Sequence, residues 1–267
     1  MTAGDGHARG RYVVNARMYA VSPAAADAWR SVLHWVVKRA QVAADVLDYP
    51  PPKPLPSLWA RDDLGGVFMC GHPFSRATPQ PRLLAAPVPS PAAYGNRPVY
   101  WTCLVAREDS GIRNLADTFA RRMAYTTPDS QSGYLALRAL VADAAHPFSK
   151  MVGPLVTPRR VIEAVIAGEA DAGPVDSYAL GLLALHEPAL VAPLRVVAAS
   201  PPTPIPPLVA SPGMPAGEAA CMRDALLEVA HAPALVTARE ALLLRRFATV
   251  DAADYDVLRE PKGAALL

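Results

Sequence analysis

An α/β fold of two lobes, one inserted into the other, is what this sequence predicts, on three observations. Strand-like and helix-like runs alternate along the chain, the pattern of βα units with mainly parallel pairing. A short strand that runs through a turn into a helix occurs at 122–134 and again at 170–178. Two apolar runs, at 99–106 and 194–199, bracket a self-contained set of elements, as two hinge crossings between lobes would.

Taken in order, Tyr12-Val13-Val14-Asn15-Ala16 reads as a first strand ending at Arg17-Met18-Tyr19. Ser22-Pro23 opens a helix, serine as N-cap and proline at the first helical position. Trp29, Val32, Leu33, Val36 and Val37 recur at helical spacing and extend it to about Leu47. Prolines at 50–56 make a linker, and Gly66 to Gly71 reads as a buried strand meeting a tight turn. Leu83 to Val88 is another strand, and Val99 to Ala106 is the longest strand-like run, followed by a short helix around Leu115 to Phe119. Arg122 to Tyr125 is a strand, and Leu135 to Ala145 a helix with Leu137, Leu140 and Val141 on one side. Thr157-Pro158 starts a helix whose apolar face is Val161, Ile162, Val165 and Ile166, and Gly168 stops it. Leu194 to Ala199 is a strand, proline-rich 201–207 crosses to Leu208-Val209-Ala210, and helices at about 216–230 and 234–246 finish the fold before Asp254-Tyr255-Asp256.

Composition bounds the function. The 52 % hydrophobic content is ample for a core, and a net charge of +2 gives no bulk attraction to nucleic acid. The pairs Lys38-Arg39 and Arg245-Arg246 fall on expected helices, where they read as solvated faces. The three cysteines, Cys70, Cys103 and Cys221, have no metal spacing and read as buried free thiols, with a Cys70–Cys103 disulfide as the alternative. The six histidines form no HxxxH or HxH, so no metal site is expected. No apolar run is long enough to span a bilayer. Met1 to Arg11 is polar and glycine-rich, without the apolar core of a secretory signal. The expectation is therefore a cytoplasmic protein, or one whose leader is removed or encoded elsewhere.

The chemistry concentrates in Thr126-Thr127-Pro128-Asp129-Ser130-Gln131-Ser132-Gly133-Tyr134. Asp129, Ser130 and Ser132 cap helix starts, where unpaired N–H groups and the helix dipole favour negative charge. For an oxyanion the expected donors are the Ser130 and Ser132 hydroxyls and the N–H groups of Ser132, Gly133 and Tyr134, with Gly133 allowing close approach. The plain alternative is an N-cap that touches no ligand. Asp176 has the same two readings. In a cleft its carboxylate favours a protonated oxyanion or one bearing an ammonium group over a sulfate-like dianion; otherwise it caps the helix before Tyr178. Tyr19 and Tyr100 either wall the cleft or pack in the core.

Met18-Tyr19, Phe68-Met69-Cys70-Gly71, Leu84-Ala85-Ala86-Pro87-Val88, Asp129-Ser130-Gln131-Ser132-Gly133-Tyr134 and Ala170-Asp171-Ala172-Gly173-Pro174-Val175-Asp176-Ser177-Tyr178 fall in the order seen in phosphate/phosphite/phosphonate-type solute-binding proteins of ABC transporters. The chain resembles that family from about Ala16 to Leu258. The resemblance implies a type 2 periplasmic-binding fold: two mixed or parallel sheets flanked by helices and joined by two crossing strands. Lobe one would be 1–101 with 200–267, and lobe two 102–199. A small phosphonate-like oxyanion would bind between them, held by Tyr19, Met69, Cys70, Gly71, Ser130, Ser132, Gly133, Tyr134 and Asp176, with no catalytic residue, metal or cofactor. The implied partners are the small-molecule ligand and an ABC permease.

The family is normally exported, and this chain shows no leader, which keeps a second reading open: a cytoplasmic enzyme or ligand sensor on the same fold. An enzyme would need a general acid or base, for which Asp176 and His72 are the candidates. A serine hydrolase fits poorly, because the residue two before Ser132 is Ser130 and not the glycine of G-x-S-x-G. No Walker A or dinucleotide-type glycine loop is present.

Overall fold

The computed structural model describes residues 11–142 and 147–259. Its first sheet has six strands and its second five, with a two-stranded ribbon between them in sequence.

The first sheet starts with β1 (Tyr12–Asn15), buried along its length. A 3-10 turn at Arg17–Tyr19 leads to α1 (Pro23–Ala40), capped by Ser22, whose hydroxyl accepts from the Ala25 N–H at 3.1 Å. This helix stops seven residues short of the expected Leu47. Gln41 takes the left-handed conformation (φ 55°), and the next apolar residues form β2 (Ala44–Val46), parallel to β1. Helix α2 (Leu55–Trp59) and strand β3 (Leu64–Phe68) follow, then α3 (Gly71–Arg76) and β4 (Arg82–Pro89).

The expected run 99–106 breaks at Trp101 into β5 (Val99–Tyr100) and β6 (Thr102–Arg107). The break is the outward crossing, since β6 enters the second sheet. There it joins β7 (Arg121–Ala124), β8 (Phe148–Val152), β9 (Ala172–Asp176) and β10 (Leu194–Ala199), in the order β10-β6-β9-β7-β8. The expected short helix near 115–119 is a 3-10 turn, Ala116–Thr118. The helix expected over 135–145 opens as a π-helical turn, Gln131–Leu135, and continues as α4 (Ala136–Leu140); its expected end lies outside the described residues. Helices α5 (Pro158–Ile166), α6 (Ser177–His186) and α7 (Pro188–Val191) complete this half.

The chain returns through β11 (Thr203–Pro204), which pairs antiparallel with β5, so the two crossings are zipped together as one ribbon. Strand β12 (Leu208–Ala210), α8 (Ala216–Glu228) and α9 (Val236–Ala241) follow. The last expected helix ends at Ala241, not 246: Leu243 is left-handed (φ 47°) and Leu244–Ala248 is strand β13, antiparallel to β4 at the sheet edge. Arg245-Arg246 therefore lie on an edge strand, not a helix. A 3-10 segment, Ala252–Leu258, closes the described chain.

Pairing is mixed, where alternation alone predicts mainly parallel. The strands entered after a crossing, β6 and β12, lie antiparallel to both of their neighbours, because each arrives from the far side of the hinge. Cys70 and Cys103 are buried free thiols, but Cys221 is exposed on α8 and no disulfide forms. The largest core packs Tyr19, Trp29, Phe68 and Phe247 between α1, α8 and the first sheet, and it takes in Tyr178, Ala179 and Leu182 from α6. A second core, around Val161, Ile162, Val165 and Val175, takes Leu183 from the same helix.

Candidate functional site

Four strand-to-helix junctions, after β1, β3, β7 and β9, each send a residue to one cavity of about 590 Å³. It also meets the proline-rich segment 51–59 and the start of α5 at 156–159. Of the sequence-predicted residues, Tyr19, Cys70, Ser130, Ser132, Gly133 and Asp176 line it, as does Tyr100.

Three others do not. Met69 is buried in a cluster with Phe74, Val209, Tyr255 and Leu258. Gly71 turns its Cα to the same cluster: a Cβ there would stand 2.5 Å from Leu258 Cδ1, so the close approach is to core, not to ligand. Tyr134 is buried with its ring against Tyr125, centroids 5.4 Å apart. His72 is also outside the cavity lining, its Nδ1 hydrogen-bonded to the Leu258 carbonyl at 2.7 Å.

On the 126–133 segment, Ser130 is the N-cap of the π-helical turn, its Oγ accepting from the Gly133 N–H at 3.1 Å. That N–H, expected to serve a ligand, is already bonded. Gly133 is required for another reason: a Cβ would stand 1.9 Å from Thr126 Oγ1 and 2.9 Å from Ser130 Oγ. Thr126 is buried and its Oγ1 has no partner among the described residues. Tyr100 is likewise buried, its hydroxyl facing the Ser132 side chain. Both residues line the cavity. A buried hydroxyl without a partner costs about 1–3 kcal/mol, so Thr126 Oγ1 marks a place built for an acceptor. Thr126 opens the stretch singled out in the sequence, but sequence reasoning did not name it among the donors.

Asp176 does cap α6, its Oδ1 accepting from the N–H groups of Tyr178 (2.8 Å) and Ala179 (2.9 Å). Its Oδ2 accepts from the Tyr19 hydroxyl at 3.3 Å. Burial pushes the carboxyl up to about 7 against the pull of those three donors. Burial also pushes the Cys70 thiol up to about 11, so it stays protonated at neutral pH; its Sγ accepts from the Gln131 N–H at 3.4 Å.

Two guanidiniums, also missed in the sequence, line the cavity. Arg17 lies over the Tyr49 ring at 5.6 Å and donates to the Lys53 carbonyl. Arg159 pairs with Glu187 and Glu163 and donates to the Val21 carbonyl at 3.3 Å. The Tyr19–Asp176, Gln131–Cys70 and Arg159–Val21 bonds each join a residue of the first-sheet half to one of the second. The two halves are thus in contact around the cavity. Among the described residues no cluster of His, Cys, Asp and Glu could hold a metal ion, and no helix is long and apolar enough to cross a membrane.

Residues 60–255 match the family model described as "ABC transporter, phosphonate, periplasmic substrate-binding protein". Among solved structures, the chain is similar to a binding protein component of an ABC phosphonate transporter from Pseudomonas aeruginosa. That match has a TM-score of 0.76 at 18 % identity and covers 93 % of this chain and 83 % of the other. It is also similar to PhnD1 from Prochlorococcus marinus in complex with methylphosphonate (TM-score 0.77, 15 % identity, covering 91 % and 94 %). A Xanthomonas citri protein bound to ATP matches with a TM-score of 0.64 at 19 % identity, covering 95 % and 96 %. No curated protein sequence matches. These similarities show the two-lobed type 2 periplasmic-binding fold.

Proposed function

We propose that this chain, which belongs to the phosphonate-type periplasmic substrate-binding family of ABC transporters, captures a phosphonate or related small oxyanion in the cavity between its two halves. The family is one of binding proteins, not catalysts. On this reading the lobes are 1–101 with 200–267 and 102–199, and the cognate partner is an ABC permease that accepts the loaded protein in the periplasm.

The observation that carries the reading is the unpartnered buried hydroxyl of Thr126, with Tyr100, Ser130 and Ser132 also in the cavity lining. Hydroxyl donors fit a tetrahedral oxyanion, and hydrogen bonds to a charged group contribute about 1.5–3 kcal/mol each. Methylphosphonate and ATP, held by the two structural neighbours, share a phosphorus oxyanion, which favours the same chemistry here. Asp129 and Asp176 line the cavity with Arg17 and Arg159; their carboxyl oxygens can accept from a ligand that keeps a P–OH proton or carries an ammonium group, which sulfate cannot offer.

Calorimetric titration with methylphosphonate, phosphite, phosphate and sulfate tests this. Binding of a phosphorus oxyanion, with sulfate much weaker, is the expected result. Equal binding of sulfate would remove the role given to the carboxylates, and no binding of any of the four would sink the reading.

A further inference from the structure

The cavity is larger and more apolar than a bare head group needs. At about 590 Å³ it lies within the roughly 300–1,000 Å³ that encloses a drug-sized ligand. That volume is present while the Tyr19–Asp176, Gln131–Cys70 and Arg159–Val21 bonds hold the two halves together, so it is not the gape of separated lobes. Besides the hydroxyl donors and the two guanidiniums, the lining includes Val21, Pro51, Pro52, Leu55, Trp59 and Val156. Leu55 and Trp59 lie at the edge of a buried cluster, and Trp59 is fixed by its Nε1 donating to the Phe68 carbonyl at 3.0 Å. Leu55 and Trp59 are thus held in place as an apolar part of the lining.

Val156 gives an independent sign. It is a β-branched residue held at φ 68°, where a side chain is disfavoured and glycine is the easy choice. Its N–H donates to the Thr126 carbonyl at 3.1 Å, which ties it to the segment bearing the donors. A strained residue that keeps an apolar side chain on a binding cavity points to use of that side chain.

We propose that the ligand is an organophosphonate or related oxyanion with a sizeable apolar substituent, its head on the 126–133 segment and its body against Leu55, Trp59, Val21 and Val156. This rests on the reading of the cavity as an oxyanion site.

The test is calorimetric titration of the full chain with methylphosphonate and with phenylphosphonate, repeated on Leu55→Ser and Val156→Gly. The expected result is a Kd for phenylphosphonate about tenfold or more below that for methylphosphonate. That ratio shrinks toward one in both variants, while Val156→Gly melts at or above the parent temperature because strain is relieved. Methylphosphonate binding as tightly as phenylphosphonate overturns the proposal and leaves the oxyanion site standing. An unchanged ratio in both variants overturns the assignment of the apolar lining. Binding of neither compound overturns the oxyanion reading and this proposal with it.

Discussion

Thr126 makes opposite contributions to stability and to binding. Its Oγ1 is buried without a partner, so the free protein bears its desolvation, and an oxyanion that accepts from it recovers that cost. Thr126→Val should leave the urea midpoint unchanged or raised, yet weaken methylphosphonate roughly 10-fold or more. A variant that loses stability while keeping affinity would show the hydroxyl to be structural. Asp176 gives a pH dependence. Its carboxyl is raised to about 7 in the fold from an ordinary unfolded value near 3.9. Between those values the native state holds a proton that the unfolded state has lost, so stability falls as pH rises from about 4 to 7. The groups facing it, Tyr19, Tyr94, Tyr100, Tyr178, Cys70 and Cys103, are all raised further by burial and stay neutral in that window. Asp176→Asn keeps an oxygen for the Tyr178 and Ala179 N–H groups and removes the titration. Urea midpoints of this variant should be flatter than the parent's between pH 4 and 7; the same slope in both would assign the titration elsewhere.

The helix starts at Ser22-Pro23 and Thr157-Pro158 and the stop at Gly168 (φ 73°) were legible in the sequence, and two other helix ends were not, for a physical reason. Ser22-Pro23 and Thr157-Pro158 state their caps chemically, and both hydroxyls accept the expected N–H, at 3.1 Å from Ala25 and 3.2 Å from Arg160. The stop of α1 is made by Gln41 at φ 55° and the stop before β13 by Leu243 at φ 47°. Neither is a glycine or asparagine, so composition gave no warning. Leu244 and Phe247 stand three apart and suit a helix equally well; only pairing with β4 decides for a strand. Strand β8 was not expected at all, since its residues Phe148 to Val152 are half-buried or exposed and parallel pairing to β7 supplies the order. At the site, motif serines and Asp176 were visible as caps. Thr126, Arg17 and Arg159 reach the cavity through tertiary placement, and Met69, Gly71 and Tyr134 turn away from it into local packing. If Gln41 holds its left-handed turn at a cost of about 1 kcal/mol, Gln41→Gly should raise the urea midpoint at an unchanged m-value. A lower midpoint would mean that the side chain contributes more than the strain removes.

Two sheets joined by a ribbon could behave as two bodies, but α6 argues otherwise. Its sequence, Ser177-Tyr178-Ala179-Leu180-Gly181-Leu182-Leu183-Ala184-Leu185-His186, is apolar on most sides, the pattern of a helix buried on more than one face. Tyr178, Ala179 and Leu182 enter the core of the first sheet, and Leu183 enters the core of the second. The Tyr178 hydroxyl donates to the Leu242 carbonyl at 2.5 Å, and His186 Nε2 bonds the Ala241 carbonyl at 2.6 Å. The chain that follows β9 in the second sheet is therefore anchored in the first half, and Asp176, which starts α6, faces the cavity at the same boundary. Loss of either core should release α6 and the other with it, so calorimetry should show one unfolding transition. A ligand that touches both halves stabilises that whole unit by mass action, by about 2.7 kcal/mol at a hundredfold excess over Kd, or roughly 5–10 °C for a chain of this size. Two transitions, with only one moved by methylphosphonate, would place the ligand on one half and remove the shared helix from its role in coupling them.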